Sequence, residues 1–318
     1  MAFVKVIPPG EPGNPYLTPI VDPVGVTRKF LDVSYTPDCP HPMRRLDLFL
    51  PESGDGPFPV LIYMHGGGFT GGLKNDFHVE NYMESLKEGY AFVSVEQRLC
   101  SPKADGTNDP EGVFPNPLFD LKAAIRFLRA NAGTYQLDPG RFALLGTSAG
   151  GYHVAMAAAT RDIPGMYDES LGFAGVSEKV HAVVDLFGVG DLVLQSAFDD
   201  EKKKNRPGGG SGGAGKNIAD LFFGVPCQAH PLLARFANPE IWVGPDLPPM
   251  LIRAGAADAL VPIEASRRLA KRIEEVCGKD RVDFDEFPDY IHGDARFHDP
   301  ENHERMYAWL KEKLSRQA

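Results

Sequence analysis

A serine at position 148 sits in the frame Gly146-Thr147-Ser148-Ala149-Gly150, between an apolar run and an Ala-rich one. Arg141-Phe142-Ala143-Leu144-Leu145 reads as a short buried strand. Val154-Ala155-Met156-Ala157-Ala158-Ala159 reads as a helix, because Ala and Met favour that state. The chain must therefore reverse within very few residues, which forces Ser148 into a strained backbone conformation. Gly146, Ala149, Gly150 and Gly151 leave the room such a turn needs. A hydroxyl displayed at a strand-to-helix turn is the setting of a nucleophilic serine. The pentapeptide alone is weak evidence, since Gly and Ser are common in ordinary turns.

A second signal lies upstream. Pro59-Val60-Leu61-Ile62-Tyr63-Met64 is strand-like and ends in His65-Gly66-Gly67-Gly68-Phe69. Consecutive glycines after a buried strand leave backbone N–H groups unshielded, so an oxygen with developing negative charge can approach them closely. The bland alternative is a Gly turn with a surface histidine. Two such motifs in this order, each at a strand end, argue against accident. His65 itself reads as a brace for the loop.

A serine hydroxyl is a poor nucleophile near neutral pH and needs a histidine base oriented by a carboxylate. For a serine displayed in this way, the acid and then the base follow it along the chain. Asp258 follows the strand-like run 249–254 through Gly255-Ala256-Ala257. Asp185 and Asp191 border an earlier strand and remain alternatives, whereas Asp283, Asp285 and Asp289 fall too late. For the base, His292 lies in Pro288-Asp289-Tyr290-Ile291-His292-Gly293, just beyond the last strand. His298 and His303 read as surface residues of the terminal helix region, and His153 as a residue packed against a neighbour. Arg98 and Asp120 read as a buried ion pair.

These residues need a scaffold to position them. Strands are expected near 29–36, 44–50, 58–64, 90–95, 141–145, 180–186, 249–254 and 282–287. Helices are expected near 77–88, 118–132, 154–159, 263–277 and 300–315; within 118–132, Leu118, Leu121, Ala124, Ile125 and Leu128 recur at helical spacing. Alternation of strands and helices with short connections implies a mostly parallel sheet covered on both faces. Residues 1–28 read as an extended arm and 29–318 as one α/β domain. Residues 190–248 break the rhythm and read as a small cap insertion, with short helices at 217–223 and 229–236. Within it, the Gly-rich stretch 206–215 is expected to be mobile, and Lys202-Lys203-Lys204 reads as a solvated loop.

Composition narrows the partners. The 318 residues are 43% hydrophobic and 24% charged, ordinary values for a globular chain, with a formal charge of −10. That charge argues against nucleic acid and anionic membranes as partners. No apolar run approaches the ~18 residues of a membrane span. Cys39, Cys100, Cys227 and Cys277 lack the spacing of a zinc site or a disulfide framework and fit a reducing cytoplasm. The short apolar start before Pro8 and Pro9 does not read as a signal peptide.

Together the motifs resemble α/β-hydrolase carboxylesterases of the hormone-sensitive-lipase-like group, and more closely its bacterial acetyl- and feruloyl-esterase branch. The matching segments are His65-Gly66-Gly67-Gly68, Phe114-Pro115 with Asp120, Gly146 to Gly151, Pro248-Pro249 through Asp258 to Pro262, and His292-Gly293. The resemblance implies an α/β-hydrolase fold with Ser148, Asp258 and His292 as the triad and Gly67, Gly68 and Ala149 as oxyanion donors. It implies a small-molecule ester as substrate, no cofactor or metal, and leaves room for a homodimer. One departure is Ala254-Gly255-Ala256, where His-Gly is frequent. An amidase or peptidase would share the triad, and a non-catalytic receptor would share the fold. Acetylated or feruloylated sugars are the substrates the resemblance brings into view.

Overall fold

Runs of β-branched and aromatic residues become strands where both faces are covered, and amphipathic runs become the covering helices. The computed structural model describes residues 4–15, 17–100, 109–204 and 217–315. The expectation placed on 206–215 lies outside them. Near the N-terminus, β1 (Lys5–Ile7) and β2 (Ile20–Asp22) pair antiparallel. Then follow β3 (Lys29–Ser34), β4 (Arg45–Phe49), β5 (Phe58–Met64) and β6 (Ala91–Val95). Next come α1 (Asn116–Ala130), β7 (Leu137–Thr147), α2 (Ala149–Ala159) and β8 (Ala182–Leu186). Three helices, α3 (Leu192–Lys204), α4 (Ile218–Phe223) and α5 (Pro231–Arg235), precede β9 (Met250–Gly255). The chain closes with α6 (Ile263–Cys277), β10 (Val282–Phe287) and α7 (Pro300–Ser315).

The main sheet has eight strands in the order β10-β9-β8-β7-β5-β6-β4-β3. All neighbours pair parallel except β3 with β4 and β4 with β6. This is the α/β-hydrolase architecture. One face of the sheet packs on α1, α2 and α6 through residues such as Ile62, Leu144, Ile125, Met156 and Leu269. The other packs on α7 and a 3₁₀ helix, Phe77–Leu86, through Leu61, Tyr63, Leu145, Tyr82 and Leu310. The central strand β5 and its neighbour β7 thus end side by side, each delivering one glycine-rich turn to the same edge of the sheet.

Three expectations need correction. Residues 1–28 are more than an arm: Ile20, Val21 and Val26 are buried, and Val21 N–H donates to the Asn75 carbonyl at 2.7 Å. Three-residue strands are too short for an alternating pattern to show. The 77–88 helix is a 3₁₀ helix, started by Asp76, whose side chain accepts from His78 N–H. Finally, 192–204 is helical, so Lys202-Lys203-Lys204 is its last turn, where lysines complement the helix dipole. Asp191 accepts from Val193 and Leu194 N–H at 2.9 and 3.0 Å and starts that helix.

Candidate active site

The reversal between β7 and α2 is made at Ser148, with φ 53° and ψ −117°. For a residue with a side chain this is a strained conformation, and the surroundings hold it there. Ser148 N–H donates to Leu186 O at 2.9 Å, while its carbonyl accepts from Val189 N–H at 3.3 Å. The flanking glycines are required by contact. A Cβ on Gly146 would lie 2.2 Å from Gly150 O, and one on Gly150 would lie 2.0 Å from Met64 O. The Ser148 turn therefore presses directly on the end of β5.

From that end runs the glycine loop. Gly67 and Gly68 take φ of 108° and 60°, which favour glycine. Gly67 O accepts from Thr70 and Gly71 N–H, folding the loop back on itself. Its contact with the serine turn is close, since a Cβ on Gly66 would be 2.9 Å from Thr147 O. The amides of Gly67 and Gly68 donate to no acceptor among the described residues. Ala149 opens α2, so its N–H has no intrahelical partner either.

His65 lies fully buried behind this loop, with Nδ1 at 2.8 Å from Gly66 O and Nε2 at 2.9 Å from Glu96 Oε1. Burial, the largest influence, opposes its charge, but the hydrogen bond and charge of Glu96 outweigh it and raise the pKa. Two acceptors facing the two ring nitrogens suit an imidazolium. Glu96 Oε2 also accepts from Lys74 N–H at 3.1 Å, so one carboxylate ties both ends of the loop.

Asp258 and His292 arrive on adjacent strands. Gly255, the residue at the departure noted above, lets the two loops meet, because a Cβ there would lie 2.1 Å from Tyr290 O. His292 Nδ1 is 2.6 Å from Asp258 Oδ2, and its Nε2 is 2.9 Å from Ser148 Oγ. Asp258 Oδ1 accepts from Leu260 and Val261 N–H at 2.7 and 2.9 Å, which fixes the carboxylate from behind. The Asp258 side chain is 4% exposed and that of His292 15%. Such a chain of contacts can orient one imidazole tautomer and draw a proton from the serine.

The alternatives lie elsewhere. Asp191 caps α3 and pairs with Arg268 at 2.9 Å. Asp185 is buried, touches Gly188 N–H and has its carboxyl pushed up to about 7 by burial, partly opposed by that N–H. His153 is walled by Phe69, Tyr152 and Phe222, and burial lowers its pKa to about 3. His298 and His303 are half-buried against Tyr82 rather than on the open surface. Arg98 and Asp120 do form a buried pair, at 2.8 Å, joined by Arg44 at 3.1 Å. No cluster of three or more His, Cys, Asp or Glu among the described residues could hold a metal ion. Nor is any described helix long and apolar enough to cross a membrane.

Two residues were not foreseen from sequence. Glu96 stands directly after β6, and a carboxylate directly after a buried strand was the available signal. Phe187, whose ring meets that of His292 at 5.0 Å, gave no signal, because an aromatic after a strand reads as core.

A mostly parallel sheet that brings a serine turn, a glycine loop and an Asp–His pair to one edge defines an α/β hydrolase. Residues 46–273 match the family model described as BD-FAE, and the chain belongs to that family. Among curated relatives, "Esterase LipC" of Mycobacterium tuberculosis is 27% identical over 241 residues, covering 74% of this chain and 53% of that protein. The chain spans about half the length of the curated relatives it matches first. Among solved structures, a "Truncated form of carbohydrate esterase from gut microbiota" superposes with a TM-score of 0.73 at 24% identity. That match covers 91% of this chain and 97% of the other. An acetyl ester-xyloside bifunctional hydrolase from Caldicellulosiruptor lactoaceticus superposes with a TM-score of 0.61 at 20% identity, over 87% and 90% of the two chains. At these identities the structural likenesses speak for the fold.

Proposed function

We propose that this chain is a serine carboxylester hydrolase acting on short-chain acyl or aryl esters, acetylated sugars among them. The observation that carries the reading is the relay Asp258–His292–Ser148, closed at 2.6 and 2.9 Å beside two glycine-loop amides. Ser148 attacks the ester carbonyl as His292 takes its proton. The tetrahedral oxyanion rests on the N–H groups of Gly67, Gly68 and Ala149, each worth ~3 kcal/mol to the transition state. His292 then protonates the leaving alcohol, the acyl-enzyme forms, and water repeats the sequence to release the acid.

The short-chain preference rests on what borders the oxyanion loop. Phe222 of α4 stacks on Phe69 with centroids 4.0 Å apart, and Ile218 Cγ2 would stand 3.9 Å from a Cβ at Gly68. On the acid side, Gln195 and Lys202 of α3 donate to Leu260 O at 3.0 and 3.1 Å. We read α3 and α4 as parts of a cap that borders the acyl pocket on two sides. The names of the relatives, an esterase and hydrolases of carbohydrate and acetyl esters, support the same chemistry. Turnover of p-nitrophenyl acetate against p-nitrophenyl decanoate and the matching acetanilide tests it. Faster kcat/KM on the acetate is expected; preference for the decanoate or the anilide would overturn the reading.

A further inference from the structure

We propose that Phe187 is a positioning residue for His292, and that the turn 186–189 holds nucleophile and base in one frame. The proposal rests on the triad reading given above. β8 ends at Leu186, and the next residue, Phe187, takes φ 45°. A bulky aromatic in the left-handed region is an outlier, kept only where its surroundings over-determine it.

Here they do. Leu186 O accepts from Ser148 N–H at 2.9 Å, and Val189 N–H donates to Ser148 O at 3.3 Å. The turn thus grips the nucleophile's backbone on both sides. On its outer side, Phe187 N–H donates to Arg253 O at 2.7 Å, anchoring the turn to β9. Within the turn there is no slack: a Cβ on Gly188 would lie 2.1 Å from Asp185 Oδ1. The same carboxyl oxygen would lie 2.2 Å from a Cβ on Gly151 of the nucleophile helix.

The strained φ then decides where the side chain goes. The Phe187 ring, 5% exposed, meets the His292 ring edge to face at 5.0 Å and 72°. Its ring also meets that of Phe297 at 5.0 Å, four residues beyond the loop glycine Gly293. His292 is on a loop, and its two hydrogen bonds fix only its nitrogens. A ring bonded at both nitrogens can still tip about the line joining them. Packing against Phe187 removes that freedom and keeps the lone pair on the serine.

The test measures kcat and KM on p-nitrophenyl acetate across pH for Phe187→Leu, Phe187→Tyr, His292→Ala and the double variant Phe187→Leu/His292→Ala. Phe187→Leu is expected to lower kcat by about 10- to 100-fold with KM within about twofold, the cost of a misplaced catalytic group. Phe187→Tyr, which keeps the ring, should stay within about threefold. On the His292→Ala background, Phe187→Leu should cost nothing further, because groups acting as a unit are not additive. The same loss on both backgrounds, or no loss in a folded Phe187→Leu enzyme, overturns the proposal. If Phe187→Leu does not fold, the volume-conserving Phe187→Met takes its place in the same comparison. Near-wild-type turnover by His292→Ala would instead sink the triad reading, and this proposal with it.

Discussion

The two turns that carry Ser148 and the glycine loop are built in the opposite way from α5 and the residues beside it. In the turns, backbone meets backbone, and added methyl groups at Gly146, Gly150 and Gly67 would lie within 2.2 Å of a neighbouring carbonyl oxygen. A single buried carboxylate, Glu96, ties this region twice, to the His65 ring and to Lys74 N–H. Around α5, by contrast, Leu232, Leu233 and Phe236 are 76%, 58% and 54% exposed. The difference separates two demands. Chemistry needs atoms fixed to a fraction of an ångström, so the sheet and its glycines over-determine them. On the proposed reading the α5 region need only wall the pocket, and a wall tolerates substitution.

The largest effect is expected from Ser148→Ala, which should lower kcat on p-nitrophenyl acetate by on the order of 10⁵ or more while leaving the melting temperature near wild type. More than a few per cent residual rate would break the assignment. Asp258→Asn should cost up to ~10⁴ in kcat, since the amide favours the wrong imidazole tautomer. Asp191→Asn should instead lower the melting temperature, by weakening the start of α3 and the pair with Arg268, and spare most of kcat. A reversed ranking would move the acid from Asp258 to Asp191.

Asp185→Asn sharpens the comparison through stability. A carboxyl raised by burial to about 7 holds its proton in the fold but loses it near the ordinary carboxylate range when unfolded. The folded state therefore binds more protons between these limits, and the wild type should lose stability as pH rises from about 4 to about 7. The Asn variant should gain on the wild type across that window and hold the gain above it, as read from melting temperatures. A difference independent of pH would mean that Asp185 is charged in the fold. The smallest effect belongs to Leu232→Ser with Leu233→Ser: kcat on p-nitrophenyl acetate should change by about twofold or less, and stability by about 0.5 kcal/mol or less per site. A collapse of kcat would show that α5 helps to hold the chemistry.

What was legible in the sequence follows the same division. The glycine frame at 146–151 and the residues placed at strand ends pointed to Ser148, Asp258 and His292, which the structure brings into contact, because turns leave local signatures. The strands β5, β6, β8 and β9 were readable as mostly apolar runs, whereas β10 interleaves apolar and acidic residues and the first half of β7 is mixed. The helix α3 was not, because its mean composition is polar and its start depends on Asp191, which looked like a candidate acid. β1 and β2 escaped because three residues cannot show a period. Phe187 escaped for a different reason: its role depends on a backbone angle and on a partner 105 positions away, and neither leaves a mark in a single sequence.

The central claim is that Ser148 forms a covalent acyl-enzyme, and covalent trapping tests it most directly. The chain would be incubated with a small p-nitrophenyl alkylphosphonate, p-nitrophenol release counted, and the labelled peptide sequenced by mass spectrometry. The account expects about one equivalent released per chain, the adduct on Ser148, parallel loss of esterase activity, and no labelling of Ser148→Ala. An adduct on another residue, or full inactivation without any adduct on Ser148, would contradict it.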